Sequence, residues 1–268
     1  LAARSRSWGT TARVRSNRGA DWILLGAAVV DENSTVVDEG QFAVPTSALT
    51  RHDDWHVSGL AGTGSSSVSV EGLDVPAHRF LSMQGVRSNQ GGPGTDAQHP
   101  SDWNHNCAAV PVLALALTGS AIGIARQAVA DFAGLIERRT IAFTSTRQVE
   151  HPVTHVQVGE AAMLAHEGER ILYHCADQID RAARTGFELD LLTRARMRLD
   201  CATGVRRCLD AVEVLVRASG SSGLTSEGPL TRAVDDLRAI NQHAMLNLSA
   251  TRELYGRVVL GLEPNSML

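Results

Sequence analysis

Residues 187–218 read FELDLLTRARMRLDCATGVRRCLDAVEVLVRA, and this stretch decides the fold class of the chain. Its apolar side chains recur at steps of three, four and seven residues, which places them on one stripe of a helix with 3.6 residues per turn. The stripe consists of Leu192, Ala195, Leu199, Ala202, Leu209, Val212 and Val216. The pattern therefore predicts a long amphipathic helix that buries this stripe against other helices.

Three further stretches on either side of this helix show the same period. They are residues 107–139, 152–185 and 229–259. Pro152 is a favoured residue in the first turn of a helix, and Gly186 is a favoured residue just past a helix end. Four helices of this length with short connections predict an antiparallel four-helix bundle, which we assign to residues 101–268.

The first hundred residues show a different sequence pattern. Short apolar or alternating runs are broken there by Gly, Ser, Asn, Asp and Pro, a pattern typical of strands and turns. The runs are residues 22–30, 42–44 and 68–70. A polar Gly/Pro stretch at residues 88–101 separates them from the helices. We therefore predict an α+β chain, with a small β domain at residues 1–100 followed by the bundle.

The composition excludes several classes of function. The formal net charge is −4, and all 25 basic residues are arginine. Because no sign of charge dominates, we expect neither a nucleic acid nor a membrane surface as partner, and a small neutral or anionic ligand fits better. The absence of lysine from the sequence excludes Schiff-base and pyridoxal enzymes and Walker-type phosphate loops.

The four cysteines predict a reduced, cytoplasmic protein, because no two of them form a CxxC pair. Cys201 and Cys208 lie seven residues apart and share a helix face, which indicates core packing. Two histidine pairs have the i, i+4 spacing of zinc ligands but lack a third ligand nearby, so we expect no metal site. The pairs are His52/His56 and His151/His155.

Residues 107–125 carry no charge over nineteen positions, which is close to the length that spans a bilayer. An amphipathic continuation to Arg139 follows at once, so we interpret the stretch as a helix buried on all sides rather than as a membrane span. Residues 1–19 are arginine-rich and lack an apolar core, so no signal peptide is expected.

Residues 54–79, DWHVSGLAGTGSSSVSVEGLDVPAHR, resemble the middle domain of acyl-CoA dehydrogenase-like flavoproteins, and in particular their flavin-dependent monooxygenase branch. The resemblance implies a β-barrel-like domain here, followed by the bundle. Gly62 and Gly64 permit close backbone approach, and Thr63 and Ser65 add hydroxyl donors. These four residues would suit the edge or the phosphate of a flavin.

Residues 218–268, ASGSSGLTSEGPLTRAVDDLRAINQHAMLNLSATRELYGRVVLGLEPNSML, resemble the last two helices of this family. There a Gly/Ser turn lies against the flavin, which implies cofactor contacts in this chain. The implied residues are Ser219, Gly220, Ser221, Ser222 and Gly223. The family often supplies an arginine to the flavin phosphates at the end of the first bundle helix, where Arg138 and Arg139 stand; we select Arg138 as the contact.

The resemblance also separates an oxygenase from a dehydrogenase. Many dehydrogenases of the superfamily carry a catalytic glutamate at the position of Ala244, and alanine cannot act as a base. His243 stands beside it, as in hydroxylases of the branch. An imidazole can accept a phenol or amine proton, or donate a hydrogen bond to a peroxide. We expect His243 to face one isoalloxazine ring around which both Gly/Ser turns converge.

The resemblance implies the activity of a two-component monooxygenase. It would bind reduced FMN or FAD from a separate flavin reductase and transfer one oxygen atom from a flavin hydroperoxide to a small aromatic or amine substrate. A homotetramer is implied as well, and the N-terminal helical domain of the family has no counterpart in these residues. Two alternatives stay open: a non-catalytic homologue, or a dehydrogenase whose base is Glu160, Glu167 or Glu253.

Overall fold

A computed structural model describes residues 12–13, 19–83, 107–226 and 228–268. The chain divides into two compact units, residues 1–101 and residues 102–268. The Gly/Pro stretch predicted as a linker at 88–101 lies outside the described residues.

The first unit contains two small antiparallel sheets. Its strands are β1 (Ala12–Arg13), β2 (Trp22–Val30), β3 (Val36–Pro45), β4 (Thr50–Arg51), β5 (Ser67–Ser69) and β6 (Phe80–Ser82). The strand order is β1-β5-β4 in one sheet and β2-β3-β6 in the other. Ile23 and Leu25 of β2 are buried together with Val44 of β3 and Val68 of β5. Because these residues come from both sheets, a single apolar core joins the two.

The described part of the second unit contains six α-helices and two short 3-10 helices at Gln148–Glu150 and Gly220–Leu224. The α-helices are α1 (Ala109–Ala116), α2 (Gly119–Ile136), α3 (Pro152–Thr185), α4 (Leu191–Ser219), α5 (Pro229–Asn241) and α6 (Leu248–Val259). Helix α4 is central, because each of the other five packs against it. This is the helix that carries the apolar stripe from which the fold class was predicted.

Local signals predict some helix ends well. The helix expected at residues 152–185 is confirmed at both ends, with Pro152 in its first turn and Gly186 at a φ of 68° just beyond it. Helix α4 begins at Leu191, later than the periodicity indicated, because Asp190 caps it. The Asp190 carboxylate accepts a hydrogen bond from the Thr193 N–H at 2.7 Å.

Two of the four predicted helices are each divided in two. The stretch 107–139 breaks between α1 and α2, and the stretch 229–259 breaks at residues 242–247, between α5 and α6. The interpretation of the first as buried on all sides is wrong, since Leu113 is 51% exposed. By length and composition alone Ala109–Ile136 could cross a membrane, but core helices of soluble proteins pass the same test.

Helices α3 and α4 approach most closely where Gly168 faces Gly204. A Cβ atom on Gly168 would lie 2.8 Å from the Gly204 carbonyl oxygen and 2.9 Å from the Cys208 Sγ. Cys201 and Cys208 are both buried, which confirms their predicted core packing. Burial raises the pKa of Cys208 to about 12, so this thiol stays protonated at neutral pH.

Candidate functional site

The Gly/Ser turn predicted to contact flavin follows directly on α4. The chain continues from Ser219 as a 3-10 turn over Gly220–Leu224. Gly220 has a φ of 59° and a ψ of −156°, a conformation that is essentially restricted to glycine. A Cβ on Gly223 would collide with the buried Ser219 side chain. Thr231 of α5 donates its hydroxyl to the Gly223 carbonyl at 3.0 Å. The turn is therefore held rigidly between α4 and α5.

Arg139 lies beside this turn. The Gln148 N–H donates to the Arg139 carbonyl at 2.8 Å, and the buried Gln148 amide donates to the Ala218 carbonyl at 2.9 Å. These bonds attach the segment after α2 to the end of α4. A Cβ on Gly220 would lie 3.8 Å from the Arg139 Nη2. Arg138, the arginine selected from the sequence, is exposed.

The Arg139 guanidinium suits an anionic ligand. Its Nη1 is buried and has no hydrogen-bond partner among the described residues. An unpaired buried guanidinium N–H is costly, and a phosphate oxygen would satisfy it. The residues of this turn therefore fit the phosphate part of a flavin nucleotide. Ser221 is exposed, and the Ser222 side chain lies outside the described part of the structure.

His243 lies in the turn between α5 and α6 and is half-buried. The periodicity had placed it inside one continuous helix. The backbone N–H of Met245 donates to its Nδ1 at 3.2 Å. Because Nδ1 accepts this bond, the proton of the neutral ring is carried by Nε2. In this tautomer Nε2 is a hydrogen-bond donor.

The turn at residues 219–223 and His243 lie at opposite ends of α5. Thr231, which bonds the turn, precedes Asn241, the last residue of α5, by ten residues, which corresponds to about 15 Å at the rise of an α-helix, and His243 follows beyond that end. A single isoalloxazine ring is much shorter than this separation. The structure therefore does not bring these two sequence-predicted elements together around one ring.

The predicted turn of the β unit is held by its own hydroxyl groups. Thr63 Oγ1 donates to the Leu60 carbonyl at 2.8 Å and lies 2.9 Å from Ser65 Oγ. Since the Thr63 proton is directed at Leu60, Ser65 donates to Thr63. Both protons that we expected to reach a flavin are thus used within the turn. Gly62 is exposed, and Gly64 has a φ of 55°. The candidate contact with flavin is therefore the backbone of this turn rather than its hydroxyl groups.

The carboxylates that a displaced dehydrogenase base would require are paired or exposed. Glu167 forms an ion pair with Arg207 at 3.3 Å. Glu253 accepts a hydrogen bond from the Asn265 side chain at 2.8 Å. Glu160 and Glu253 are both exposed on the bundle surface. None of these three glutamates is enclosed in the bundle as a base for carbon acids would need to be.

Comparison with known proteins places the bundle in a described family. The model of the family "acyl-CoA dehydrogenase, C-terminal domain" matches residues 115–248. The flavin-dependent monooxygenase, oxygenase subunit HsaA, of Mycobacterium tuberculosis is 27% identical over 256 residues, which cover 93% of this chain and 62% of that protein. The FADH(2)-dependent resorcinol hydroxylase, oxygenase component, of Rhizobium sp. is 28% identical over 257 residues, with coverages of 91% and 61%.

A solved structure extends the similarity to the whole chain. XiaF from Streptomyces sp., in complex with FADH2 and glycerol, is 27% identical and superposes with a TM-score of 0.85. The match covers 100% of this chain and 70% of XiaF. It confirms the predicted α+β fold class, with small antiparallel sheets followed by a helical bundle. The chain spans about three fifths of the length of the curated relatives it matches.

Proposed function

Because the chain belongs to the acyl-CoA dehydrogenase C-terminal domain family, we propose that it is the corresponding part of a two-component flavin-dependent monooxygenase. The protein would transfer one oxygen atom of O2 to a small aromatic or amine substrate. Bound reduced flavin would supply the electrons and the activation of oxygen. The protein residues would hold the cofactor, exclude water and place a proton donor.

The observation that carries the proposal is the turn between α5 and α6. It presents His243 next to Ala244, and the resemblance implies that Ala244 stands where many dehydrogenases of the superfamily carry their catalytic glutamate. A donor at His243 Nε2 can stabilise negative charge that develops on a reacting oxygen. Named relatives support the same conclusion, since HsaA and the resorcinol hydroxylase are both oxygenase components.

The cofactor is proposed to be reduced FAD or FMN from a separate flavin reductase. Arg139 and the turn at residues 219–223 would hold its phosphate part. From the family resemblance, the backbone of residues 62–65 is also proposed as a flavin contact. FAD is favoured by two relatives, because XiaF is in complex with FADH2 and the resorcinol hydroxylase is named as FADH(2)-dependent. A cytoplasmic location remains part of the proposal, based on the free cysteines.

Removal of the Arg139 guanidinium tests the cofactor contact. We expect Arg139→Ala to weaken the binding of reduced FAD by about 10- to 100-fold, because a charge-assisted hydrogen bond to phosphate is lost. Anaerobic titration with chemically reduced FAD measures the dissociation constant. Arg138→Ala is the matched control, since this neighbouring arginine is exposed, and it should leave the affinity unchanged. Equal effects of the two variants would count against the contact.

A tetramer is proposed from the family resemblance and from exposed apolar side chains. Phe143 is fully exposed at a φ of 63°, and Val156 and Met163 are exposed along α3. Burial of such side chains between copies of the chain would stabilise an assembly. We expect Phe143→Ser to shift the protein toward smaller assemblies in sedimentation equilibrium. A wild-type chain that sediments as a monomer would remove the basis for this proposal.

The proposed activity is tested by mixing the 268-residue chain, loaded with reduced FAD, with oxygen and a panel of phenols and indoles that includes resorcinol and indole-3-acetate. A hydroxylated product that contains one atom of ¹⁸O from ¹⁸O2 supports the proposal. Reduction of bound oxidised FAD by an acyl-CoA thioester would instead identify a dehydrogenase. Oligomerisation without any flavin binding would identify a non-catalytic homologue.

A further inference from the structure

A buried arginine contacts the turn that carries His243. Arg198 lies on α4 and is only 4% exposed. Its Nη2 donates to the Ala244 carbonyl at 3.2 Å, and its Nε donates to the Met245 carbonyl at 3.3 Å. These carbonyls belong to the turn where the predicted continuous helix is broken, so Arg198 satisfies acceptors that an unbroken helix would have paired internally.

The same guanidinium also binds Ser266 and Met267, which follow α6. Its Nη1 donates to the Ser266 hydroxyl at 2.8 Å and to the Met267 carbonyl at 2.6 Å. Every partner that the structure describes for Arg198 is a neutral oxygen. Burial lowers the pKa of Arg198, but arginine remains protonated in proteins, so a full positive charge is held here by four hydrogen bonds.

One peptide group connects Arg198 to the imidazole. The carbonyl of Ala244 and the N–H of Met245 belong to the same peptide unit. Its oxygen accepts from Arg198, and its N–H donates to His243 Nδ1 at 3.2 Å. A charged donor on the carbonyl polarises the peptide and strengthens the bond that its N–H makes on the other side. The three groups therefore form one continuous hydrogen-bonded chain from the Arg198 guanidinium to Nδ1 of the ring.

We propose that Arg198 is a positioning residue that, through the 244–245 peptide, holds His243 in the tautomer with the proton on Nε2. The inference about catalysis rests on the proposed function, whereas the tautomer does not. It assigns His243 the role of a hydrogen-bond donor. It makes the ring a poor general base, because its unprotonated nitrogen already accepts the Met245 N–H. Proton abstraction would require this bond to break.

The tautomer is measured by ¹⁵N NMR of the flavin-free chain labelled with [¹⁵N]histidine, in which His243→Gln identifies the resonances of His243. A protonated and an unprotonated ring nitrogen have well-separated shifts. We expect the wild type above the pKa of the ring to show a single tautomer with protonated Nε2. A ring protonated on Nδ1 overturns the proposal whatever the variants do.

Two variants separate positioning from general stability. Arg198→Met should produce a mixture of tautomers, and Arg198→Lys should restore part of the wild-type spectrum. Ser266→Ala removes a different bond of Arg198 and should leave the His243 shifts unchanged. Unaltered shifts in a folded Arg198→Met variant contradict the proposal. If Arg198→Met does not fold, the proposal is tested by the tautomer of the wild type and by the spectrum of Arg198→Lys.

Turnover gives a second measurement that depends on the proposed function. With a substrate from the hydroxylation panel, Arg198→Met should lower kcat by up to about 10²-fold while KM changes little, as expected when a reacting group is displaced. The predicted tautomer without any hydroxylation would refute the proposed function alone. Hydroxylation with the other tautomer would refute the positioning role alone.

Discussion

His243→Asn is expected to transfer oxygen roughly 10²- to 10⁴-fold more slowly than the wild type, the range that a positioned proton donor or acceptor contributes. His243→Gln should keep a much larger share of the rate. The amide nitrogen of glutamine reaches about as far as Nε2 of histidine, whereas the asparagine side chain reaches only as far as Nδ1. Glutamine can therefore replace a donor at Nε2.

The pair of amides distinguishes a donor from a base. Neither amide accepts a proton at neutral pH, so a histidine that acts as a general base would be equally disabled by both changes. The measurement is single-turnover product formation with reduced FAD bound, so that reductase and release steps do not contribute. Affinity for reduced FAD serves as the control and should be the same in both variants. Equal loss of rate in both would contradict the donor role.

Gly168→Ala should lower the free energy of unfolding by about 1–3 kcal/mol, a typical cost of placing an extra group in a packed core. The new methyl group would lie 2.8 Å from the Gly204 carbonyl oxygen, and a backbone atom cannot move aside as a side chain can. Helices α3 and α4 would have to separate. Because the other five helices all pack on α4, we expect a shift of this helix to destabilise the whole bundle.

The same substitution elsewhere on α3 provides a control. Gly159 is exposed, and a Cβ atom there would meet nothing within 4 Å. Gly159→Ala should therefore raise the free energy of unfolding by up to about 1 kcal/mol, the difference in helix propensity between the two residues. Urea denaturation monitored by circular dichroism measures both values. A Gly168→Ala variant that is at least as stable as the wild type would show that the close helix contact is not tight.

Prediction of the helices succeeded where the signal was local. Pro152 and Gly186 bound α3 as expected, because each acts on the backbone dihedrals of its own position. The division of residues 229–259 was missed, since residues 242–247 contain neither glycine nor proline. Asn247, which caps α6 by accepting from the Ala250 N–H at 3.1 Å, was the available local sign.

The sequence supplies only some of the contacts that make up the candidate site. Arg138 and Arg139 are adjacent, so the sequence does not show which of them would contact the flavin phosphate. The structure places Arg139 beside the turn after α4. Thr63 and Ser65 were named for their hydroxyl protons, but the turn itself uses those protons. The helical pattern alone gives Arg198 no special role. The residues next to it in the sequence do not indicate the carbonyls of residues 244 and 245 that it binds.

The sequence alone was sufficient for the β unit followed by a helical bundle and for most of the apolar stripe of α4, of which Leu192 is 46% exposed. These properties depend on side-chain periodicity and on residues close together in the chain, which act through the local backbone. Tertiary structure decided which arginine meets the turn, which nitrogen of His243 carries the proton, and where the last predicted helix breaks. Each of these depends on a hydrogen bond or contact with a group distant in sequence, such as Arg198 with Ala244, and local patterns hold no information about such partners.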